Sequence, residues 1–393
     1  MSSGGVLAKG CIVRRGSTYS IVLSLGRDPR TGRRLQRWFG GHRTREAAEL
    51  HLAELLRLLA AGDLPPARPR LAAYLEGWLA DRRPALSPKT AERYAELLEG
   101  AVLPHLGGLR LDALRPAHLD SLYRRLAASG NRRTGAGLSP RTVLAVHRLL
   151  HRALADGVRR GLLPANPADR LRPPAAPRSR QAALDEEQLA LLLRALEGSD
   201  LHPPALLAAL TGLRRGELLA LRWQDVDLAA CTLAVRRSLE QTRAGLRFKP
   251  PKSRSGLRSL ALPGLACEEL RRLAAGAGRS GDGPRAAGAE DLVFARPDGR
   301  PLEPDAFSAT FHDAMLRLGF PGVHLHTLRH SHASQLLRAG ASPVEVARRL
   351  GHASPVVTLT TYAHLLPGED AEAARLVEER LRAAMSRLGG SAR

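Results

Sequence analysis

The pattern of apolar and polar positions changes character twice along the chain. Up to about residue 62 the apolar positions fall in short β-branched or aromatic runs: Cys11-Ile12-Val13, Tyr19 to Leu23, and Leu35 to Phe39. The last two runs are separated by a turn-rich stretch from Gly26 to Gly32, so three strands are predicted. Thr44 then stands as an N-cap ahead of Ala47, Leu50, Leu55 and Leu58, whose spacing predicts one helix. From about residue 70 to 170 the spacing becomes helical throughout. Leu71, Leu75, Trp78 and Leu79 form one stripe, and Tyr94, Leu97 and Leu98 follow Ser87-Pro88. Leu119, Leu122, Tyr123 and Leu126 follow Pro116, and Val143, Val146, Leu149, Leu150 and Leu154 follow Ser139-Pro140.

Proline-rich joints punctuate these segments, one from Gly62 to Pro69 and another from Pro173 to Arg178. The remainder, about 180 to 388, is mainly helical with short strand-like runs at Leu233 to Leu239 and Ser259 to Leu262. These flank a basic segment, Lys249 to Arg258, and suggest a hairpin with Lys252 near its tip. The stretch from Ala274 to Ala289 is rich in Gly, Arg and Ser and reads as a mobile loop. Glu369 to Leu388 predicts a terminal helix with Val377, Leu381, Ala384, Met385 and Leu388 on one side. The fold class is therefore multidomain α+β: a small N-terminal sheet with one helix, an all-α bundle, and a mainly α domain with a small sheet.

Composition narrows the partner. Sixty Lys and Arg against 38 Asp and Glu give a formal charge of +22, while an apolar fraction of 44% is that of a folded protein. A polyanion is the natural partner for such a surface. Arg14, Arg15, Arg27, Arg30, Arg33, Arg34 and Arg37 stud the N-terminal sheet, and a basic β-ribbon is narrow enough for a major groove. In the bundle, Arg82, Lys89, Arg93, Arg141 and Arg148 stand off the apolar stripes, where they are either solvated or against phosphates. Cys11, Cys231 and Cys267 are scattered, show no metal-ligand spacing and predict no disulfide framework, which fits a reducing cytosol. No N-terminal signal core and no span of ~20 apolar residues is present, so a cytoplasmic protein, associated with the bacterial nucleoid and not with a membrane, is expected. No Walker-type loop, cysteine cluster or carboxylate triad stands out, and neither cofactor nor metal is expected.

Four boxes carry the candidate chemistry. Leu210-Thr211-Gly212-Leu213-Arg214-Arg215-Gly216-Glu217 places Arg214 at the start of a helix, where backbone donors favour an anion, with Glu217 one turn on to hold it. Lys252 lies in the basic segment. His326-Thr327-Leu328-Arg329-His330 opens a helix with His326 and Arg329 on one face. Leu350-Gly351-His352 ends another, and Tyr362 follows ten residues after His352 on a short helix. Each box alone is unremarkable. In this order and spacing they resemble the tyrosine recombinases, the phage-type integrases and Xer-like recombinases.

That resemblance implies a DNA strand transferase that cuts and rejoins through a covalent 3′-phosphotyrosyl bond. Tyr362 would be the nucleophile, and Arg214 and Arg329 the clamp on the non-bridging oxygens, since a planar, permanently charged fork fits phosphate. Lys252 would protonate the leaving 5′-oxygen, and His326 would accept or relay the tyrosine proton. His352 would hydrogen-bond the phosphate and Glu217 would support the geometry. Histidines 324, 330, 332 and 364 are read as structural or DNA-adjacent. It also implies an arm-site-binding domain at 1–62, a SAM-like core-site-binding domain at 70–170 and a catalytic domain at 180–388. The partners would be double-stranded DNA, three further copies in a tetramer coupled by the terminal helix, and an excisionase or DNA-bending factor. Integration or excision of a phage or integrative element is the leading role. A Xer-like resolution recombinase, a DNA-binding regulator with weak or lost catalysis, and a type IB topoisomerase are the alternatives.

Overall fold

The structure, a computed structural model, describes residues 10–27, 32, 34–61, 69–131, 134–175, 183–251, 253–276, 288–362, 375 and 378–382. Two compact units are present, Met1–Pro177 and Arg178–Arg393. Lys252, His364, most of the Gly-rich loop at 274–289 and most of the predicted terminal helix lie outside the described residues.

The first unit contains two separate apolar cores. In the smaller, β1 (Gly10–Arg15), β2 (Thr18–Arg27) and β3 (Arg34–His42) form an antiparallel meander in that order. Helix α1 (Arg45–Ala60) packs on it, and the Thr44 hydroxyl accepts from the Ala47 N–H at 3.2 Å. Of the residues whose spacing predicts this helix, Leu55 is buried, with Ala48 and the neighbouring Leu52, while Leu50 is 76% exposed. Leucines nearly encircle this helix, so spacing alone does not select its face. Leu35 and Trp38 of β3 remain exposed.

The larger core joins α2 (Leu71–Arg82), α3 (Pro88–Leu97), α4 (Leu103–Leu106), α5 (Pro116–Ser129) and α6 (Pro140–Arg159). A single wide turn, Leu98–Val102, links α3 to α4. Prolines at the first positions of α3, α5 and α6 start them where an N–H would have no partner. Leu71, Leu75, Trp78, Leu119, Leu126, Leu150 and Leu154 fill the centre, as their spacing predicts. Asp156, buried on α6, accepts from Trp78 Nε1 at 2.6 Å and Arg82 Nε at 2.8 Å. Arg82 also lies over the Trp78 ring, so it is tied into this core rather than standing free on another face.

The second unit opens with α7 (Glu186–Leu196), α8 (His202–Thr211) and α9 (Arg215–Leu218). Strands β4 (Val226–Asp227), β5 (Thr232–Val235), β6 (Ser238–Thr242), β7 (Gly245–Lys249) and β8 (Arg258–Ala261) follow. The pairing bears out the expected hairpin in part. β5 pairs with β8, and β6 with β7 in a separate ribbon that turns at Gly245, whose φ is +113°. The ribbon takes up Ser238 and Leu239 from the end of the first expected run, and Lys252 itself lies outside the described residues.

Helices α10 (Gly264–Gly276), α11 (Pro304–Arg317), α12 (Leu325–Arg338), α13 (Pro343–Leu350) and α14 (Pro355–Tyr362) complete the unit. Leu192, Leu218, Leu219, Leu233, Phe311, Met315 and Leu328 belong to its main core, and Ala333, Leu337, Val346, Leu350 and Tyr362 to a smaller one. A second correction concerns the cysteines. Cys231, after the β4 turn, and Cys267 on α10 form a disulfide across 36 residues, with Cα atoms 5.8 Å apart. Packing of the turn against α10 creates a proximity that linear spacing does not encode. No described helix is long and apolar enough to cross a membrane.

Candidate functional site

Three chain reversals bring the predicted residues together. The first ends α8 at Gly212, whose φ of +66° suits a residue without a Cβ. A Cβ there would also meet Leu350 Cδ2 at 2.6 Å and His332 Cδ2 at 2.8 Å. The chain then enters α9 with Arg214 as its N-cap, and the Glu217 carboxylate accepts from Arg214 N at 3.0 Å and Arg214 Nη1 at 2.7 Å. The second reversal, at the start of α12, places His326 and Arg329 one turn apart. The third ends α13 at Gly351, again left-handed with φ +66°, and delivers His352.

Arg329 is almost wholly buried. Its Nη1 donates to the Gly212 carbonyl at 2.5 Å and its Nη2 to the Leu350 carbonyl at 2.8 Å, so it bridges two of the reversals. Burial and the neighbouring Arg214 pull its pKa down to about 9, which leaves it cationic at neutral pH. Arg214 Nη2 donates to the Gly351 carbonyl at 2.9 Å, while 41% of its side chain stays exposed. Two of five N–H groups on Arg329 are used in these bonds, leaving donors for an incoming oxygen.

Histidines sit among these cations in neutral form. Burial first, then Arg329 and Arg214, lowers the His326 pKa. The same influences, joined by Arg258, bring His352 down to about 4. His352 Nδ1 is held by the Thr358 hydroxyl at 2.8 Å, which fixes the ring from α14. Tyr362, at the end of α14, is only 5% exposed. Its hydroxyl is hydrogen-bonded to Nδ1 of His330, not to His326. Burial pushes the phenol up to about 12, with Arg329 pulling the other way. Burial, then His326 and Arg329, takes His330 down to about 4, so its ring is neutral. The His330 ring meets His326 edge to face at 4.5 Å between centroids, and its Nε2 has no hydrogen-bond partner among the described residues.

The structure therefore gathers Arg214, Glu217, His326, Arg329, His352 and Tyr362 in one region; Lys252 falls outside the described residues. Two participants escaped sequence reasoning. His330, expected to be structural or DNA-adjacent, lies four residues after His326 on the same helical face and bonds the Tyr362 hydroxyl. Arg258 stands two residues before the buried Leu260 on one face of β8, so its side chain turns inward, where a guanidinium requires an acid. That acid is Glu217, accepting from Arg258 Nη2 at 2.9 Å and Nη1 at 3.3 Å. Burial alone would raise the Glu217 carboxyl, but Arg258 and then Arg214 bring it below the ordinary range. Among the described residues no group of His, Cys, Asp and Glu is arranged to hold a metal ion.

With this geometry in view, comparison with known proteins is decisive. Residues 182–369 match the phage integrase family, and 71–127 match the phage integrase N-terminal SAM-like domain. An integrase of Streptomyces ambofaciens is 31% identical over 367 residues, covering 88% of each chain. The chain belongs to the phage integrase family. It is a tyrosine-type site-specific DNA recombinase. The tyrosine recombinase XerC of Ralstonia pickettii is 30% identical over 76% of this integrase-family chain and 91% of its own. Among solved structures, the Tn1549 transposon integrase in complex with a circular intermediate DNA superposes with a TM-score of 0.64. It is 20% identical and covers 78% of this chain and 99% of its own. A lambda integrase dimer bound to a core site gives 0.55 at 19% identity, over 92% and 95%. The fold expected from sequence, with its small N-terminal sheet, SAM-like bundle and mainly α C-terminal domain, is thus the fold of this family.

Proposed function

We propose that Tyr362 of this recombinase attacks the scissile phosphodiester and becomes joined to the 3′-phosphate, releasing a 5′-hydroxyl. The observation that carries this reading is an uncompensated charge. Three guanidiniums, Arg214, Arg258 and Arg329, surround one carboxylate, Glu217, next to a tyrosine. Partly buried cations in excess are costly until an anion arrives, and a phosphodiester supplies it. Arg214 and Arg329 hold the non-bridging oxygens, and that hold strengthens as charge shifts onto them in the transition state. His352, oriented by Thr358, donates a further hydrogen bond. An anion beside His326 raises its proton affinity from the depressed value of the DNA-free site, so it can take the phenol proton. Lys252 protonates the leaving 5′-oxygen. The bond energy is conserved in the phosphotyrosine, so rejoining requires no ATP and no metal.

The wider reading follows the division of the chain. Residues 70–170 grip the core site, the catalytic domain spans 180–388, and the Arg-rich sheet and helix of 1–62 bind a second, arm-type site. That last domain favours integration and excision of a phage or integrative element over Xer-like resolution. A homotetramer on double-stranded DNA, coupled by the terminal helix and aided by an excisionase or DNA-bending factor, is the working assembly. The test uses a nicked duplex carrying the protein's core site, from which the leaving strand diffuses away. A covalent adduct forms with the native chain and is lost in Tyr362→Phe while DNA binding persists; an adduct that persists in Tyr362→Phe removes Tyr362 as the nucleophile.

A further inference from the structure

The C-terminus of α13 is built in an unusual way. Its last carbonyls have no partners within the helix and carry the negative end of its dipole. Two are closed by the turn itself: the Gly351 N–H returns to Arg348 O at 3.1 Å and the His352 N–H to Ala347 O at 2.9 Å. The next three each accept from a different arginine. Arg349 O takes Arg258 Nε at 2.7 Å, Leu350 O takes Arg329 Nη2 at 2.8 Å, and Gly351 O takes Arg214 Nη2 at 2.9 Å. Two of these cations are the proposed clamp. The third, Arg258, commits its guanidinium to protein acceptors: besides Arg349 O it reaches the Gly256 carbonyl and both Glu217 oxygens.

We propose that Arg258 is a positioning residue for strand transfer, fixing Arg214 through Glu217 and fixing the carbonyl end of α13 that orients both clamp arginines. The inference rests on the reading that Arg214 and Arg329 hold the phosphate. Its geometry needs a fork: Nε reaches Arg349 O while the Nη atoms reach both Glu217 oxygens, and no single ammonium spans these directions. Gly351 belongs to the same device. A Cβ there would stand 2.8 Å from Arg258 Nη1 and 2.9 Å from Ser255 O, so a side chain would push the fork off its carbonyl. Arg258 thereby ties β8, α9 and α13 into one frame, and small shifts in that frame displace the clamp.

The experiment compares Arg258→Met and Arg258→Lys with the native chain in single-turnover adduct formation. The probe is a nicked duplex bearing a core half-site selected from random duplexes by the protein's own binding. It is made with an ordinary phosphodiester or with a neutral methylphosphonate at the scissile position. Misplacing the clamp is expected to slow cleavage of the phosphodiester about a hundredfold in Arg258→Met, since errors near 1 Å cost rates of that order. On the methylphosphonate, which has less charge to neutralise, the loss should shrink to less than about tenfold, with half-site binding unchanged. Arg258→Lys should fall between, and carries the same ratio if Arg258→Met does not fold. A rate close to native on the phosphodiester overturns the proposal, as does an equal loss on both substrates, which would make Arg258 a general structural support. Failure of the native chain to form any adduct would instead count against Tyr362 chemistry itself.

Discussion

Glu217→Gln is the substitution whose consequence can be worked most fully from the structure. The carboxylate is 3% exposed and receives four N–H groups: Arg214 N and Nη1, and Arg258 Nη2 and Nη1. A glutamine amide keeps one acceptor oxygen and turns an NH2 toward donors that then have no partner. Removing one member of a buried ion pair costs about 3–5 kcal/mol. Arg214 retains solvent over 41% of its side chain and can be rehydrated, which puts the loss near the lower bound, roughly 3 kcal/mol. At ~2–4 °C per kcal/mol for a unit of this size, the melting temperature of Arg178–Arg393 should fall by roughly 6–12 °C at pH 7. The pH dependence gives an independent check. The folded pKa of Glu217 lies below its ordinary 4.5, so the stabilisation is fully present above that pH and disappears as pH falls through the folded value. Calorimetry at pH 7 and at about pH 3.5 should therefore show the gap between native and Glu217→Gln closing in acid. A gap under about 2 °C at pH 7, or one that is the same at both pH values, would refute the ion-pair account.

Three further outcomes are expected. His330→Ala should expose the Tyr362 hydroxyl and accelerate its nitration in DNA-free protein, read by peptide mass spectrometry; an unchanged rate would mean that His330 does not hold the phenol. Cys231→Ser should lower the melting temperature under non-reducing conditions only, since closing a 36-residue loop is worth about 4 kcal/mol on the loop-entropy model, and a difference that survives reductant would deny the disulfide. Deleting residues 1–62 should spare core-site cleavage and impair integration, measured side by side; intact integration would remove the arm-binding role.

Sequence legibility follows how local each signal is. Proline starts and glycine stops lie within a few residues of what they control, so α6, α8, α12 and α13 sit where the pattern puts them. The candidate arginines are legible for a related reason: Arg214 follows the Gly212 stop, and Arg329 belongs to the compact His326-to-His330 box that opens α12. What stayed hidden depends on pairing between distant segments. Arg258 reads as one more basic residue until β8 pairs with β5 and turns it toward Glu217, 41 residues away. Asp156 reads as an ordinary helix acid until Trp78 and Arg82 reach it from α2. The disulfide and the ribbon inserted between β5 and β8 have the same origin. Where apolar residues ring a helix, as in α1, even its inward face has to come from packing.

The central claim is that Tyr362 carries the covalent link to DNA. The most direct measurement traps the adduct on nicked core-site DNA, digests the nucleic acid to a residual nucleotide and sequences the peptides by mass spectrometry. The nucleotide should sit on Tyr362, in the tryptic peptide covering 350–375, linked through its 3′-phosphate. A nucleotide on any other residue, or a 5′-phosphate linkage, would contradict the account.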